Sequence, residues 1–339
     1  MKYAMRVTLM IGVAAGALMA MAGNRVYAQA ADPNAAPNPY KMQENWAQLA
    51  AGRKFGAAIK VQVDHSDGKS IWVFDRCGGT ECTNSLVAPI QKFDSSGKFE
   101  RAFGGGLFAV PHSLYVDREG NVWAGDQIAR NGKGADLFKF SPDGRVLMTL
   151  GKPGMPGNDQ EHLSAVSAVV VAPNGDIYVD DGHGTATNDR IVKFSQDGKF
   201  ITAWAKHGKA AGETDTPHGI ALDSAGRVYV ADRVNNRIQI FEPDGKFVAE
   251  WKQFGRPSDV AIDKNDMIYV ADSQSTPTVN PGFKQGIRIG SVKDGKVTAF
   301  ITDPTAPDGA GAEGVGVDDA GNVFGSWTDK MTVRRFAKQ

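Results

Sequence analysis

From about residue 55 onward the chain alternates short apolar runs with polar turns that contain glycine. The runs are rich in β-branched and aromatic residues, which favour strands, and Pro-Asp-Gly or Asn-Gly between them sets the turn geometry. One full unit reads Pro111-His112-Ser113-Leu114-Tyr115-Val116-Asp117, then Gly120-Asn121-Val122-Trp123-Ala124-Gly125-Asp126, then Leu137-Phe138-Lys139-Phe140-Ser141-Pro142-Asp143-Gly144. It returns from Pro217-His218 through Val228-Tyr229-Val230-Ala231-Asp232 to Phe241-Glu242-Pro243-Asp244-Gly245. Six copies are recognisable, with second strands predicted at 71–74, 122–125, 177–180, 228–231, 268–271 and 323–326. Repeats of about 40–50 residues cannot bury both faces of a single sheet and must stack radially. The predicted fold is therefore all-β, a six-bladed β-propeller spanning residues 51–339. The last copy has about three strands, and the segment 53–58 is expected to supply the fourth and close the ring. An open β-solenoid is the alternative architecture, but the Asp-ended second strands and irregular spacing favour closure.

The residues ahead of the repeats read as an address and a lead-in. Lys2 and Arg6 precede an apolar run from Val7 to Gly23, and Ala28-Gln29-Ala30 offers a small-residue cleavage site. The run is shorter than the roughly 20 residues of a membrane span. Residues 1–30 are thus expected to be a cleaved signal peptide. Residues 31–50 form a lead-in rich in Pro, Asn and Ala at its start, and the mature protein is expected in the periplasm or medium.

Composition narrows the partners. With 38 basic and 38 acidic residues among 339, net charge gives no basis for recruiting nucleic acid or an anionic membrane. A soluble monomer acting on a small molecule or peptide is expected. Cys77 and Cys82 are too few for a closed zinc site. In an oxidising compartment they are expected to bond, pinning the Gly-rich loop beside Arg76.

Aligning the repeats picks out one position near the start of each innermost strand: Lys60 or Val61, then His112, Ser167, His218, Ser258 and Glu313. The last five are 55, 51, 40 and 55 residues apart, so only a ring brings them together. Alternate blades lie about 120° apart, which converges His112, His218 and Glu313 on the axis as candidate metal ligands. Two imidazoles and a carboxylate with an open position suit catalytic zinc, and also non-haem iron. Neighbouring strands run antiparallel, so residues just past the second strands share this face. That places Arg76, His183 and Arg233 on the rim as candidate catalytic residues. Two guanidiniums grip a carboxylate and an imidazole moves a proton. The recurring Asp75, Asp126, Asp181, Asp232 and Asp272 are expected to cap turns, and His65, His162 and His207 have no assigned role.

The repeats resemble NHL repeats, and the chain from about residue 55 is similar to peptidyl-α-hydroxyglycine α-amidating lyase. The resemblance rests on Asp181-Gly182-His183 with Asn188-Asp189-Arg190-Ile191-Val192-Lys193-Phe194-Ser195, and on Pro217-His218-Gly219-Ile220 with Ala231-Asp232-Arg233. It implies a six-bladed propeller with zinc on three channel histidines, a structural calcium, and two arginines and a tyrosine contacting substrate. The implied reaction splits a carbinolamide N–C bond into an amide and glyoxylate. His112 and His218 match two zinc ligands, and Arg76 and Arg233 match the arginines. Glu313 stands at the third histidine, His183 at the tyrosine, and Gly314 at an acidic residue used for calcium.

The leading expectation is an exported metal-dependent lyase, or related hydrolase, acting on an α-hydroxy-amide. A non-catalytic NHL propeller binding a peptide, glycan or envelope protein is the alternative. A calcium-dependent lactonase shares the blade count, but such sites use oxygen ligands and the two axial imidazoles argue against it.

Overall fold

The computed structural model describes residues 32–184, 187–303 and 309–339, so the expected signal peptide lies outside the described residues. The described chain folds into six four-stranded antiparallel sheets. Their innermost strands are Ala58–Val63, Pro111–Val116, Val166–Val171, Pro217–Leu222, Pro257–Ile262 and Gly314–Val317. Each packs against the next, and the last packs against the first, so the ring is closed and the solenoid is excluded. The second strands fall within a residue of their predicted positions, from Ile71–Asp75 round to Val323–Trp327.

The closing strand is not the predicted one. Tyr40–Gln43 pairs with Thr332–Lys338 as the outermost strand of the sixth blade, with Tyr40 opposite Lys338 and Gln43 opposite Arg335. Residues 53–58 lead instead into the first innermost strand. The lead-in is also tied to blade 5, because Asn34 Oδ1 accepts from Lys284 N at 2.8 Å and from the Arg288 guanidinium at 2.9 Å.

The core is divided among the blade interfaces, with one apolar cluster at each. Each second strand carries an aromatic at its second or third residue: Trp72, Trp123, Tyr178, Tyr229, Tyr269 and Phe324. Four of these bury a polar edge on an aspartate at the end of the preceding strand. Trp72 Nε1 donates to Asp64 at 3.0 Å, Trp123 Nε1 to Asp117 at 3.1 Å, Tyr229 to Asp223 at 3.2 Å and Tyr269 to Asp263 at 3.1 Å. Each aspartate also accepts backbone N–H groups of its own turn, so one side chain fixes both the turn and the aromatic. Truncating Trp123 to Ala would cost about 3–5 kcal/mol.

The aspartate column at the second-strand ends is fully buried and staples the loop entering the same blade. Gly56 N donates to Asp75 at 2.6 Å, Ala109 N to Asp126 at 2.6 Å, Ser164 N to Asp181 at 2.7 Å, Asp215 N to Asp232 at 2.8 Å and Arg256 N to Asp272 at 3.1 Å. These bonds set where each innermost strand begins, and therefore the height of the axial ring.

Candidate metal centre

Pairing between the first two strands slips by one residue near the start of four blades, between Ala58 and Lys60, Pro111 and Ser113, Val166 and Ala168, and Pro257 and Asp259. In blade 4 the ladder skips from Pro217 to Ile220. A bulge leaves the extra residue unpaired and re-aims it. The skipped residues are Ile59, His112, Ser167, His218 with Gly219, and Ser258. Blade 1 thus contributes Ile59 to the ring, with Lys60 one step deeper. Glu313 immediately precedes the short innermost strand of blade 6, and its N–H donates to Ser326 O at 2.8 Å.

Two ring histidines are locked in orientation. His112 Nδ1 donates to Ser167 O at 2.9 Å, and His218 Nδ1 donates to Ser258 O at 2.6 Å. A carbonyl only accepts, so both Nδ1 atoms carry the proton and both Nε2 atoms keep a lone pair. Burial, together with nearby positive groups, holds both imidazoles well below their ordinary pKa and hence neutral. Carbonyl-fixed neutral imidazoles are the usual state of metal-ligating histidines.

The third member of the cluster is His183, brought in by the loop that follows strand Ile177–Asp181. One ligand nitrogen from each of His112, His183 and His218 lies within 4.8 Å of the other two. His183 Nε2 is 3.1 Å from His218 Nε2. Burial and then Arg233 and Arg76 push His183 down to about 3, so it too is neutral near pH 7. Glu313 stands beside this group, with its Oε1 3.2 Å from His218 Nε2 and 3.2 Å from the Arg233 guanidinium. With His218 neutral the first contact is not an ion pair; the second is, and it draws Glu313 toward the rim.

The donor set fits a zinc-type cation. His218 Nε2 presents a lone pair to a carboxylate oxygen and lies against another imidazole nitrogen, an arrangement that a cation makes favourable. Three nitrogens with an adjacent oxygen suit zinc better than they suit calcium. At Gly314 there is no room for a carboxylate, since a Cβ would lie 2.6 Å from Ser326 Oγ and 3.0 Å from Ile59 O.

Arg76 and Arg233 flank the imidazoles closely enough to lower the His183 pKa. Arg76 Nε donates to Pro111 O at 3.3 Å. Cys77 and Cys82 form a disulfide immediately after Arg76, and Cys82 N donates to Ala109 O at 2.7 Å, which anchors this loop against blade 2. Arg233 is 8% exposed, and its Nε is a buried donor with no hydrogen-bond partner among the described residues.

One layer deeper, Lys60 Nζ reaches Asp259 Oδ1 at 2.6 Å, and Asp259 Oδ2 accepts from Val315 N at 3.0 Å. Small residues make room, because a Cβ on Gly219 would lie 2.8 Å from Asp259 Cα. The sequence pattern signalled Lys60 but not its partner. The available clue was an isolated Asp259 beside Ser258 in an otherwise apolar strand. A large cavity of about 1400 Å³ is lined by residues from the far ends of the innermost strands, among them Val63, Val171, Leu222 and Val317. No axial histidine lines it, so size alone points away from the chemistry.

Fold and site together define a six-bladed β-propeller with a histidine cluster on its axis. The model of the NHL repeat matches residues 214–241. The chain is 39% identical over 209 residues to the peptidyl-glycine alpha-amidating monooxygenase of Mus musculus, covering 58% of this chain and 20% of that protein. It is 32% identical over 213 residues to the peptidyl-alpha-hydroxyglycine alpha-amidating lyase 1 of Drosophila melanogaster, covering 57% of this chain and 36% of that one. It is also 34% identical over 152 residues to the NHL repeat-containing protein 3 of Homo sapiens, covering 43% of each. The chain therefore spans about a fifth of the mouse protein's length and about a third of the fly protein's. Among solved structures, a putative gluconolactonase superposes with TM-score 0.59 at 12% identity, covering 92% of this chain and 97% of that one. A streptogramin B lyase superposes with TM-score 0.53 at 13% identity, covering 88% and 98%. These two likenesses concern the fold alone. The chain is a six-bladed β-propeller with a match to the NHL repeat at residues 214–241, and it resembles the α-hydroxyglycine amidating lyases.

Proposed function

We propose that the protein is an exported, zinc-dependent lyase that cleaves the C–N bond of an acyl- or peptidyl-α-hydroxyglycine, releasing an amide and glyoxylate. The observation that carries this is the meeting of three neutral imidazoles beside Glu313 and two guanidiniums. His112, His183 and His218 would hold the ion. His183, expected from the sequence to move a proton, suits ligation better because it stays neutral and its Nε2 faces His218. A zinc ion bound there supplies Lewis acidity toward the substrate hydroxyl oxygen.

Arg76 and Arg233 bind the substrate carboxylate, and holding it in place lowers the entropic barrier to reaction. Glu313 Oε1 accepts the α-hydroxyl proton. As the C=O bond forms, the C–N bond breaks and its electron pair goes to nitrogen. Glu313 then returns the proton to that nitrogen, giving a neutral amide and glyoxylate with no other reactant consumed. The disulfide and the lyase relatives support an exported location, in keeping with the expected leader at 1–30.

The test is glyoxylate release from N-benzoyl-α-hydroxyglycine by the purified protein. Release that falls to background in His218→Ala and after chelation is expected. Absence of release from zinc-replete protein, or an undiminished rate in stripped protein, contradicts the proposal. The similarity to NHL repeat-containing protein 3 supports a second reading, a propeller that binds a peptide without turning it over. That reading requires no release with the peptide still bound.

A further inference from the structure

A second cluster of metal-competent side chains lies outside the axial site, on a loop of blade 3 and on the connection from blade 3 to blade 4. One ligand atom from each of Asp189, His207 and Asp215 lies within 4.8 Å of the other two. Asp189 is 1% exposed and immediately precedes the third strand of blade 3, while His207 and Asp215 lie on the connection between blades 3 and 4. The three are held by separate segments. His207 bridges in parallel to Thr214, and the Thr214 hydroxyl donates to Asp189 O at 2.7 Å. His207 Nδ1 is 2.7 Å from Asp189 Oδ2. Asp189 and Thr216 have φ of 48° and 59°, a left-handed conformation uncommon for a non-glycine residue and the more unusual for the β-branched Thr216.

The cluster also touches the backbone that carries two axial histidines. His183 N donates to Thr187 Oγ1 at 2.9 Å, and that hydroxyl lies 3.3 Å from Asp189 Oδ1. Thr216, directly before Pro217-His218, donates its N–H to the same Asp189 oxygen at 3.3 Å. Gly182 packs so closely that a Cβ there would lie 2.5 Å from Asp189 Oδ1. Whatever fixes Asp189 therefore fixes the approach of both His183 and His218.

We propose that Asp189, His207 and Asp215 form a second site, for a zinc-class divalent cation, which clamps the His183 loop to the start of the strand bearing His218. One imidazole and two carboxylates make a mixed nitrogen–oxygen set that suits zinc and disfavours calcium. His207 is exposed on its outer side, which leaves room for water to complete the coordination. The bland alternative is a His207–Asp189 ion pair with no metal.

The experiment is zinc stoichiometry by equilibrium dialysis of the whole protein, with thermal unfolding read on the same samples. The chain is expected to bind one more equivalent of zinc than either His207→Ala or Asp215→Asn, and both variants are expected to lose part of the zinc-induced rise in Tm. The double variant His112→Ala/His218→Ala is expected to keep the zinc bound at the outer site. His207 is exposed, so its truncation leaves the fold intact, and Asp215→Asn provides a second, isosteric check. Unchanged stoichiometry and unchanged zinc-induced stabilisation in both variants overturn the proposal. That result leaves the axial site untouched, whereas loss of zinc only in the axial variant counts against the outer site alone.

Discussion

Arg233 shows how much one side chain does in this site, and its partners could not be read from the chain. Its rim position followed from the repeat alignment, but its pairing with Glu313 depends on two loops 80 residues apart. Charge-assisted hydrogen bonds contribute about 1.5–3 kcal/mol each. Arg233→Ala is therefore expected to lower kcat/KM by roughly 10- to 150-fold, and Arg233→Lys to recover little of it because an ammonium cannot bind bidentately. Steady-state kinetics with a carboxylate and a carboxamide substrate check this, since the variants should discriminate between them less than the parent does. The histidines set a pH dependence as well. The folded pKa of His183 is about 3, and those of His112 and His218 are also lowered, against 6.5 for an unfolded histidine. Between these values the unfolded chain binds more protons, so this contribution to stability is complete above about pH 6.5 and is lost as the pH falls toward 3. Denaturant midpoints of metal-free protein from pH 7 to 4.5 are expected to fall, and His183→Gln to fall less steeply.

At the scale of elements, the repeat made each blade legible because the 2-residue alternation, the strand-two aromatic and the turn aspartate all recur in the chain. What did not show was the bulge that aims His112 and His218 at the axis, since a bulge changes pairing without changing residue type. The blade 2 exception was also hidden. In blades 3 and 4 the buried aspartate is paired with the arginine opposite it, Asp181 with Arg190 and Asp232 with Arg237. In blade 2 that register position holds Asp136, whose two carboxylate oxygens have no hydrogen-bond partner among the described residues. Burial raises Asp126 to about 8, with Asp136 adding to the shift, and burial raises Asp136 itself to about 7. Both folded values exceed the ordinary 3.8, so this pair's contribution is full below that pH and is lost as the pH rises through 7 to 8. Asp136→Asn is expected to stabilise the protein at pH 8 by on the order of 2 kcal/mol and to leave it nearly unchanged at pH 4. Urea unfolding at the two pH values measures it.

For the whole molecule, closure is what turns six sheets into one channel. The blade count and ring were legible from the repeats, but the closing strand was not, because Tyr40–Gln43 sits in a segment with no repeat signature. Its register is set by the partner strand at the other end of the chain. A chain lacking residues up to 43 is expected to unfold at a lower temperature and in a broader transition than one that begins at 31, as calorimetry would show. Closure also gathers the axial imidazoles, whose residues span more than a hundred positions in the chain yet meet within 4.8 Å. The most direct measurement is anomalous diffraction at the zinc edge from crystals grown with zinc. A peak within about 2.0–2.1 Å of one nitrogen each of His112, His183 and His218 is the expected result. Zinc-replete crystals with no density among those three rings would contradict the account.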